Sequence, residues 1–399
     1  MQRLLVGLLA CAACAEEPPV PGPDPDLEVH ITKTTSGLIG IPITFAVTDA
    51  DGTVVLSGNS TGQPFRVPIH PGARLRVDED GSSSPTSRFS NTFTLTDLQP
   101  GDRVVRRPFE VTALERVGEM TLRFVGAPDL PPDSSYYFVT PCQIAGGFAS
   151  SAWLSFYSTC VPTGAFTIDG YVFDATGPRL HTVIAVPEFQ AGGTIDATEV
   201  WSPVPTRSIT VRGLPPDAST VRIEQQSHWL PSVVGTATPA AGEAVLSLPV
   251  IAAPGDVATL EVVTTRVGAL GSQRHRFGVD DAAPAVTLDL AAHPLPWITG
   301  PLVYGAGGLT WTQDGAGTPD FVRVSESWSS WPSPPPIHGG SYEVLGPPGN
   351  SIAGGQTSGT LRLIDCPGAD GYEQVKQDHW RACSTVGLGQ VYVESVLER

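Results

Sequence analysis

Gly58-Asn59-Ser60-Thr61-Gly62 matches G-x-S-x-G, the spacing that presents a nucleophilic serine on a strained turn between a strand and a helix. A strand is available just before it. After it comes Gln-Pro-Phe-Arg-Val-Pro at 63–68, an alternating stretch with two prolines, which predicts a second strand where a helix N-terminus should stabilise an oxyanion. His70, Asp49 and Asp51 are the titratable neighbours a triad would draw on, since triads are defined by geometry and not by chain order. The residues therefore predict a turn at Ser60 and no catalytic residue, with a serine hydrolase using Ser60 as the alternative reading.

Two acidic turns, 49–52 (Asp-Ala-Asp-Gly) and 78–81 (Asp-Glu-Asp-Gly), place carboxylates two residues apart before a glycine. That is part of a calcium loop, without the third oxygen donor or the closing glutamate. Asp51-Gly52 reads as a hairpin turn, and a calcium-dependent adhesin is the second alternative. The eight histidines never fall at i, i+4, and H-E-x-x-H is absent, so no metal site and no cofactor is expected. Glu373, Asp378 and His379 form the tightest polar group, but adjacent side chains diverge on a strand or a helix, and the group reads as solvated surface.

The cysteines carry more information. Cys142 and Cys160 are separated by 18 positions and Cys366 and Cys383 by 17, with no C-x-x-C knuckle, which predicts two loop-closing disulfides and an oxidising compartment. Cys11 and Cys14 lie in the opening "MQRLLVGLLACAACAEEPP", where one basic residue and a short apolar run read as a secretory leader too short to span a bilayer. Leu8-Leu9-Ala10-Cys11 resembles the lipobox of bacterial lipoproteins. That resemblance implies a lipid on Cys11, with Cys14 a competing site, and an outer-membrane location, periplasmic-facing or surface-exposed. The proline-rich acidic stretch that follows predicts an extended tether.

Aromatic side chains supply the remaining candidates for binding. Trp328 and Trp331 flank the proline-rich loop "WSSWPSPPPIHGG", where exposed rings would stack on a sugar or a proline-rich peptide. In "SAWLSFYSTC", alternation puts Trp153 and Tyr157 on one strand face and Phe156 on the other. The partner expected is an unidentified protein or glycan, besides the membrane reached through the N-terminal lipid. Nucleic acid is excluded by a net charge of −17 and by basic runs no longer than Arg106-Arg107.

The elements that must position these groups are strands. Gly 43, Pro 39 and only two lysines (Lys33 and Lys376) leave few runs of strong helix formers in 399 residues. Short alternating runs such as "PITFAVTD", "ARLRVD" and "NTFTLTDL", bounded by Gly, Pro, Asp or Asn, recur at sandwich density, with "RPFEVTAL" as the seventh. Only "GYEQVKQDHWRAC" has the makings of a short helix. The rhythm "DADGTVVLSGNSTGQPFRVP" resembles carboxypeptidase-regulatory or transthyretin-like sandwich domains over 27–112. Leu-Pro-Pro-Asp at 130–133 and again at 214–217 resembles a corner of fibronectin type III-like domains, and "TDLQPGD" echoes it faintly. The whole is similar to envelope lipoproteins of bacteria such as the myxobacteria.

These readings predict an all-β protein of tandem β-sandwich domains, immunoglobulin-like or fibronectin III-like, after a signal and tether at 1–26. The units expected are 27–112, 113–204, 205–284 and 285–399, with one disulfide in each of the second and the last. The expected role is non-catalytic: a lipid-anchored cell-envelope protein acting in binding, adhesion or structure.

Overall fold

The structure, a computed structural model, describes residues 26–32, 43–84, 87–107, 115–125, 127–129, 133–147, 151–226, 230–251, 258–280, 283–305, 308–330, 337–353, 359–377, 383 and 386–398. Within them it is all-β: tandem β-sandwiches, with one helix of four residues. The first unit holds β1 (Leu27–Ile31), β2 (Ile43–Thr48), β3 (Val54–Asn59), β4 (Phe65–Val67), β5 (Ala73–Ser84), β6 (Ser87–Leu98) and β7 (Arg103–Arg106). Alternation drives the folding: in β5, Ala73, Leu75 and Val77 point into the core and Arg74 and Arg76 point out. Asp51-Gly52 makes the β2–β3 hairpin turn, Gly52 at φ 89° and the Asp51 carboxylate accepting the Thr53 N–H at 2.8 Å. The expected seventh strand "RPFEVTAL" lies outside the described residues from 108 onward; β7 comes just before it and closes the unit.

The second unit repeats the plan with β8 (Arg116–Phe124), β9 (Ser135–Val139), β10 (Ile144–Gly147), β11 (Ser151–Tyr157), β12 (Phe166–Asp174), β13 (Gly177–Val186) and β14 (Thr194–Ala197). A short β15 (Ser202–Pro203) extends its larger sheet. The third does so with β16 (Thr206–Arg212), β17 (Ala218–Gln226), β18 (Val233–Ala237), β19 (Ala244–Pro249), β20 (Ala258–Arg266), β21 (Ser272–Val279) and β22 (Ala285–Asp289). In all three, the fourth, first and seventh strands form one sheet and the third, second, fifth and sixth the other. The first and seventh strands run parallel each time. Immunoglobulin constant domains divide seven strands differently, A-B-E-D against C-F-G. β22 pairs with β16, so Ala285–Asp289 share a sheet with the third unit's first strand. Leu214 is buried in its core at the corner between first and second strands, where the expected plug sits; Leu130 lies outside the described residues. The fainter echo at 96–102 falls instead between the sixth and seventh strands of the first unit.

The C-terminal unit does not stand apart. Its small strands β23 (Trp297–Ile298), β24 (Val303–Gly305), β25 (Gly308–Thr310), β26 (Gln313–Asp314) and β29 (Ser351–Ile352) form two covering sheets over a core containing Leu309, Trp311, Val324 and Leu363. Its main strands are β27 (Phe321–Ser330), β28 (Ile337–Gly346), β30 (Thr360–Asp365) and β31 (Val391–Leu397). They lie between the larger sheets of the first and third units, giving one 12-stranded sheet in the order β18-β17-β20-β21-β31-β30-β27-β28-β6-β5-β2-β3. The two joins are β21–β31, antiparallel, and β28–β6, parallel over nine residue pairs.

The segment between β30 and β31 turns back onto the first unit. Its helix α1 (Tyr372–Val375) and Cys366, Cys383 and Val386 pack into the same core as Leu98 and Val104. Asp320 fixes the start of this segment by accepting the N–H groups of Cys366 and Gly371 at 3.0 and 2.9 Å. Burial raises both the Asp320 and the Asp365 carboxyl above the usual range; Asp320 raises Asp365 further, while the hydrogen bond between the two acts the other way on Asp320 and lowers it.

Both expected disulfides are present, Cys142–Cys160 in the second unit and Cys366–Cys383 in this segment. Replacing Cys142 and Cys160 by serine is expected to lower the stability of the second unit by about 3 kcal/mol, the loop-closure contribution for a ring of this size, read from urea unfolding under oxidising conditions.

Candidate functional site

Where β21, β31, β30, β27, β28 and β6 lie side by side, one face of the joined sheet turns its outward positions into a trough of about 790 Å³. Strand alternation explains its composition. Val324, Val344, Leu363 and Val393 face the C-terminal core, so Arg323, Glu343, Arg362 and Glu394, one residue away in each strand, must face the other side. In an isolated sandwich those positions would meet water. Here the first unit and the Cys366–Cys383 segment cover them.

The charges interlock across strands. Arg323 Nε lies 2.6 Å from Glu343 Oε1, Arg362 Nε 3.3 Å from Glu394 Oε2, and Arg276 Nε 2.6 Å from Glu261 Oε2. On the first unit's side, Arg106 reaches Glu79 at 3.3 Å and lies over the Phe93 ring at 4.0 Å. Glu394 is the centre of the arrangement: it also takes the Tyr392 hydroxyl at 2.7 Å and faces Arg274 Nη1 at 4.0 Å. Burial, reinforced by the adjacent Glu394, raises the Tyr392 phenol far above its ordinary value and keeps it a donor. Arg323 and Arg362 are direct cross-strand partners, a like-charge pairing that only the flanking glutamates make tolerable.

Chemically, the trough offers guanidinium donors and carboxylate acceptors, five arginines (Arg106, Arg274, Arg276, Arg323 and Arg362) against three glutamates (Glu79, Glu343 and Glu394). Ser341 donates to Asn91 at 2.9 Å, and no histidine or lysine lines the trough among the described residues. The arrangement suits the sealing of a junction by cross-strand ion pairs, with a surplus of guanidinium donors.

The residues singled out in the sequence lie elsewhere. Ser60 is a turn residue: its N–H reaches the Ile43 carbonyl at 2.8 Å, its hydroxyl donates to the Ile31 carbonyl at 3.0 Å, and it accepts the Gly62 N–H at 3.2 Å. Residues 65–67 after it form β4, a strand and not the helix of a nucleophile elbow. His70 and Asp49 do meet each other, at 2.9 Å, on an exposed loop, and the His70 contacts lower the Asp49 pKa. Asp78 is held by Arg76 and Thr92. Trp153 stands 75% exposed while Phe156 is fully buried, as alternation requires. Cys11, Cys14, Trp331, Asp378 and His379 fall outside the described residues, as does the side chain of Trp328. Glu373 is described and pairs with Lys376 at 2.8 Å.

No family model matches the chain, and no curated protein matches it. Among solved structures it is similar to the Bacillus anthracis TIE protein, at 11% identity over 66% of this chain and 50% of that one, with a TM-score of 0.18. A Streptococcal ancillary pilin matches at 9% identity over 66% of this chain and 98% of the pilin, TM-score 0.16. The fimbrial anchor protein Mfa2 from Porphyromonas gingivalis matches at 10% identity over 61% and 82% of the two chains, TM-score 0.13. The chain spans about half the length of the first of these, and at such TM-scores the likenesses carry no functional argument.

Proposed function

We propose that this chain is a non-catalytic protein of the bacterial cell envelope, anchored by a lipid on Cys11, on the outer membrane, with a binding, adhesion or structural role. The observation that carries the reading is the 12-stranded sheet, which fuses three sandwiches into one body through backbone pairing and leaves no hinge between the first, third and C-terminal units. A fused scaffold of this kind holds surfaces at a fixed spacing, which serves a load-bearing or presenting role. The two disulfides suit an oxidising milieu outside the cytoplasm. Its partner would be a protein or a glycan, met by exposed loops and by rings such as Trp153, Trp328 and Trp331.

Metabolic labelling with a fatty-acid probe tests the anchor: the wild-type chain takes up label and the Cys11→Ala chain loses it, and an unlabelled wild type removes the lipid from the reading. An array of glycans and envelope proteins probed with the purified protein tests the binding role. The hydrolase alternative has its own measurement. Ser60→Ala is expected to leave hydrolysis of a short-chain ester at the level of buffer, as in the wild type; activity abolished by that change would make the protein an enzyme.

A further inference from the structure

Lys376 is one of two lysines in a chain with 21 arginines, and its side chain is 2% exposed. Every other basic partner in the ion pairs of the described residues is arginine or histidine. Arginine is the better residue for a buried ion pair, because its guanidinium is weakly hydrated and bidentate, whereas the ammonium is strongly hydrated and costly to bury. What lysine has and arginine lacks is a primary amine able to form an amide.

The surroundings supply what that reaction needs. Lys376 Nζ lies 2.6 Å from Asp102 Oδ2, and the Asp102 side chain is 10% exposed. The same Oδ2 accepts the Gln99 N–H at 2.7 Å. Glu373 Oε1 lies 2.8 Å from Nζ on the other side, and its carboxylate opens to solvent. The backbone fixes the partners as well: the Val105 N–H donates to the Lys376 carbonyl at 3.0 Å, and Lys376 sits inside the ring closed by Cys366 and Cys383.

We infer that Lys376 and Asp102 are a site of self-catalysed cross-linking, in which the lysine amine and the aspartate carboxyl condense to an amide joining the C-terminal segment to the first sandwich. In the step, the ammonium passes one proton to Asp102 Oδ2, its hydrogen-bond partner at 2.6 Å, and the freed amine attacks Asp102 Cγ. The N–C bond forms while Oδ1 takes up negative charge. Glu373 removes a second proton from the nitrogen and returns it to the departing Oδ2. The carbonyl re-forms at Oδ1, the Cγ–Oδ2 bond breaks, one water leaves, and Glu373 ends as it began. No oxidant, cofactor or second substrate enters. Groups held in reacting geometry gain effective molarities of about 10⁵–10⁸ M over free reactants, and a buried ion pair is exchanged for a neutral amide.

Peptide mapping of the full-length protein, reduced, alkylated and digested with trypsin, decides the matter. The expected product is peptide 89–103 joined to peptide 363–381, one water lighter than the two together, with cleavage after Lys376 blocked. Free 89–103 and free 363–376 as the only forms in the wild-type digest would overturn the cross-link and leave an ion pair. Lys376→Arg and Asp102→Ala are expected to abolish the joined species. Glu373→Gln is expected to leave most of the protein unjoined, and complete joining in that variant would overturn the role given to Glu373. The wild-type map decides the existence of the bond even where a variant fails to fold.

Discussion

Glu394→Ala is expected to lower the stability of the protein by about 3–5 kcal/mol, the cost of removing one partner from a buried ion pair. The Glu394 side chain is 3% exposed and is shared by Arg362, Arg274 and the Tyr392 hydroxyl. Truncation leaves Arg362 and Arg274 without that carboxylate, with Ser325 at 3.1 Å from the first and Glu398 at 2.6 Å from the second as their other partners. Its strand, β31, is also the one that joins the third unit to the C-terminal unit, so the loss falls on the junction as well as on one contact. Glu394→Gln keeps the shape and an acceptor for Tyr392 and should lose less. Urea unfolding followed by tryptophan fluorescence measures both. A change below about 1 kcal/mol for the alanine variant, within the range of an exposed pair, would mean that the trough is wetter and looser than its geometry implies.

Acid is expected to weaken the protein through His275. The imidazole is buried on the opposite face of β21, with His293 O as its partner at 3.3 Å, and desolvation pushes its pKa down from 6.5 to about 4, with the neighbouring His293 charge adding to the effect. The unfolded chain binds a proton below about pH 6.5, while the folded chain refuses it until about pH 4. Stability contributed by the neutral ring is thus complete above pH 6.5 and falls as the pH drops toward 4. Refusing that proton down to about pH 4 is worth about 3 kcal/mol. Unfolding free energies at pH 7 and pH 4.5 for wild type and His275→Gln test this. The wild type should lose more on acidification than the variant, and parallel losses would remove His275 as the cause.

How far the molecule was legible follows from where the information lay. The sandwich units were written locally: "ARLRVD" alternates, Asp51-Gly52 turns, and the cysteine spacings give both bridges. The shared sheet was not, because the β28–β6 pairing joins residues about 250 positions apart and leaves no period in either strand. Nothing in the local alternation distinguishes Arg323, Arg362 and Glu394 from the wet side of ordinary strands. A trace did exist in β31, where Val391, Tyr392, Val393, Val396 and Leu397 are apolar at both parities, the mark of a strand covered on two faces. At Ser60 the local signal was enough, since the alternating stretch with two prolines after the five-residue motif predicted the strand that β4 supplies in place of a helix. Lys376 was visible as a rarity, but its partner Asp102 sits in a turn 274 residues earlier, and nothing local connects them.

The parallel join between β6 and β28 also sets an order of events for a growing chain. The N-terminal sandwich is complete in its own seven strands long before residue 337 exists, yet β6 then ends its sheet as a bare edge, and the side of its core that Tyr372 and Val375 will fill is open. An unpaired edge is a template for any passing strand, and a contact separated by some 250 residues is slow to form. A chain whose first domain has folded and whose last is still arriving therefore exposes that edge, and pairing of β6 with a foreign strand is the misfolding route this topology opens.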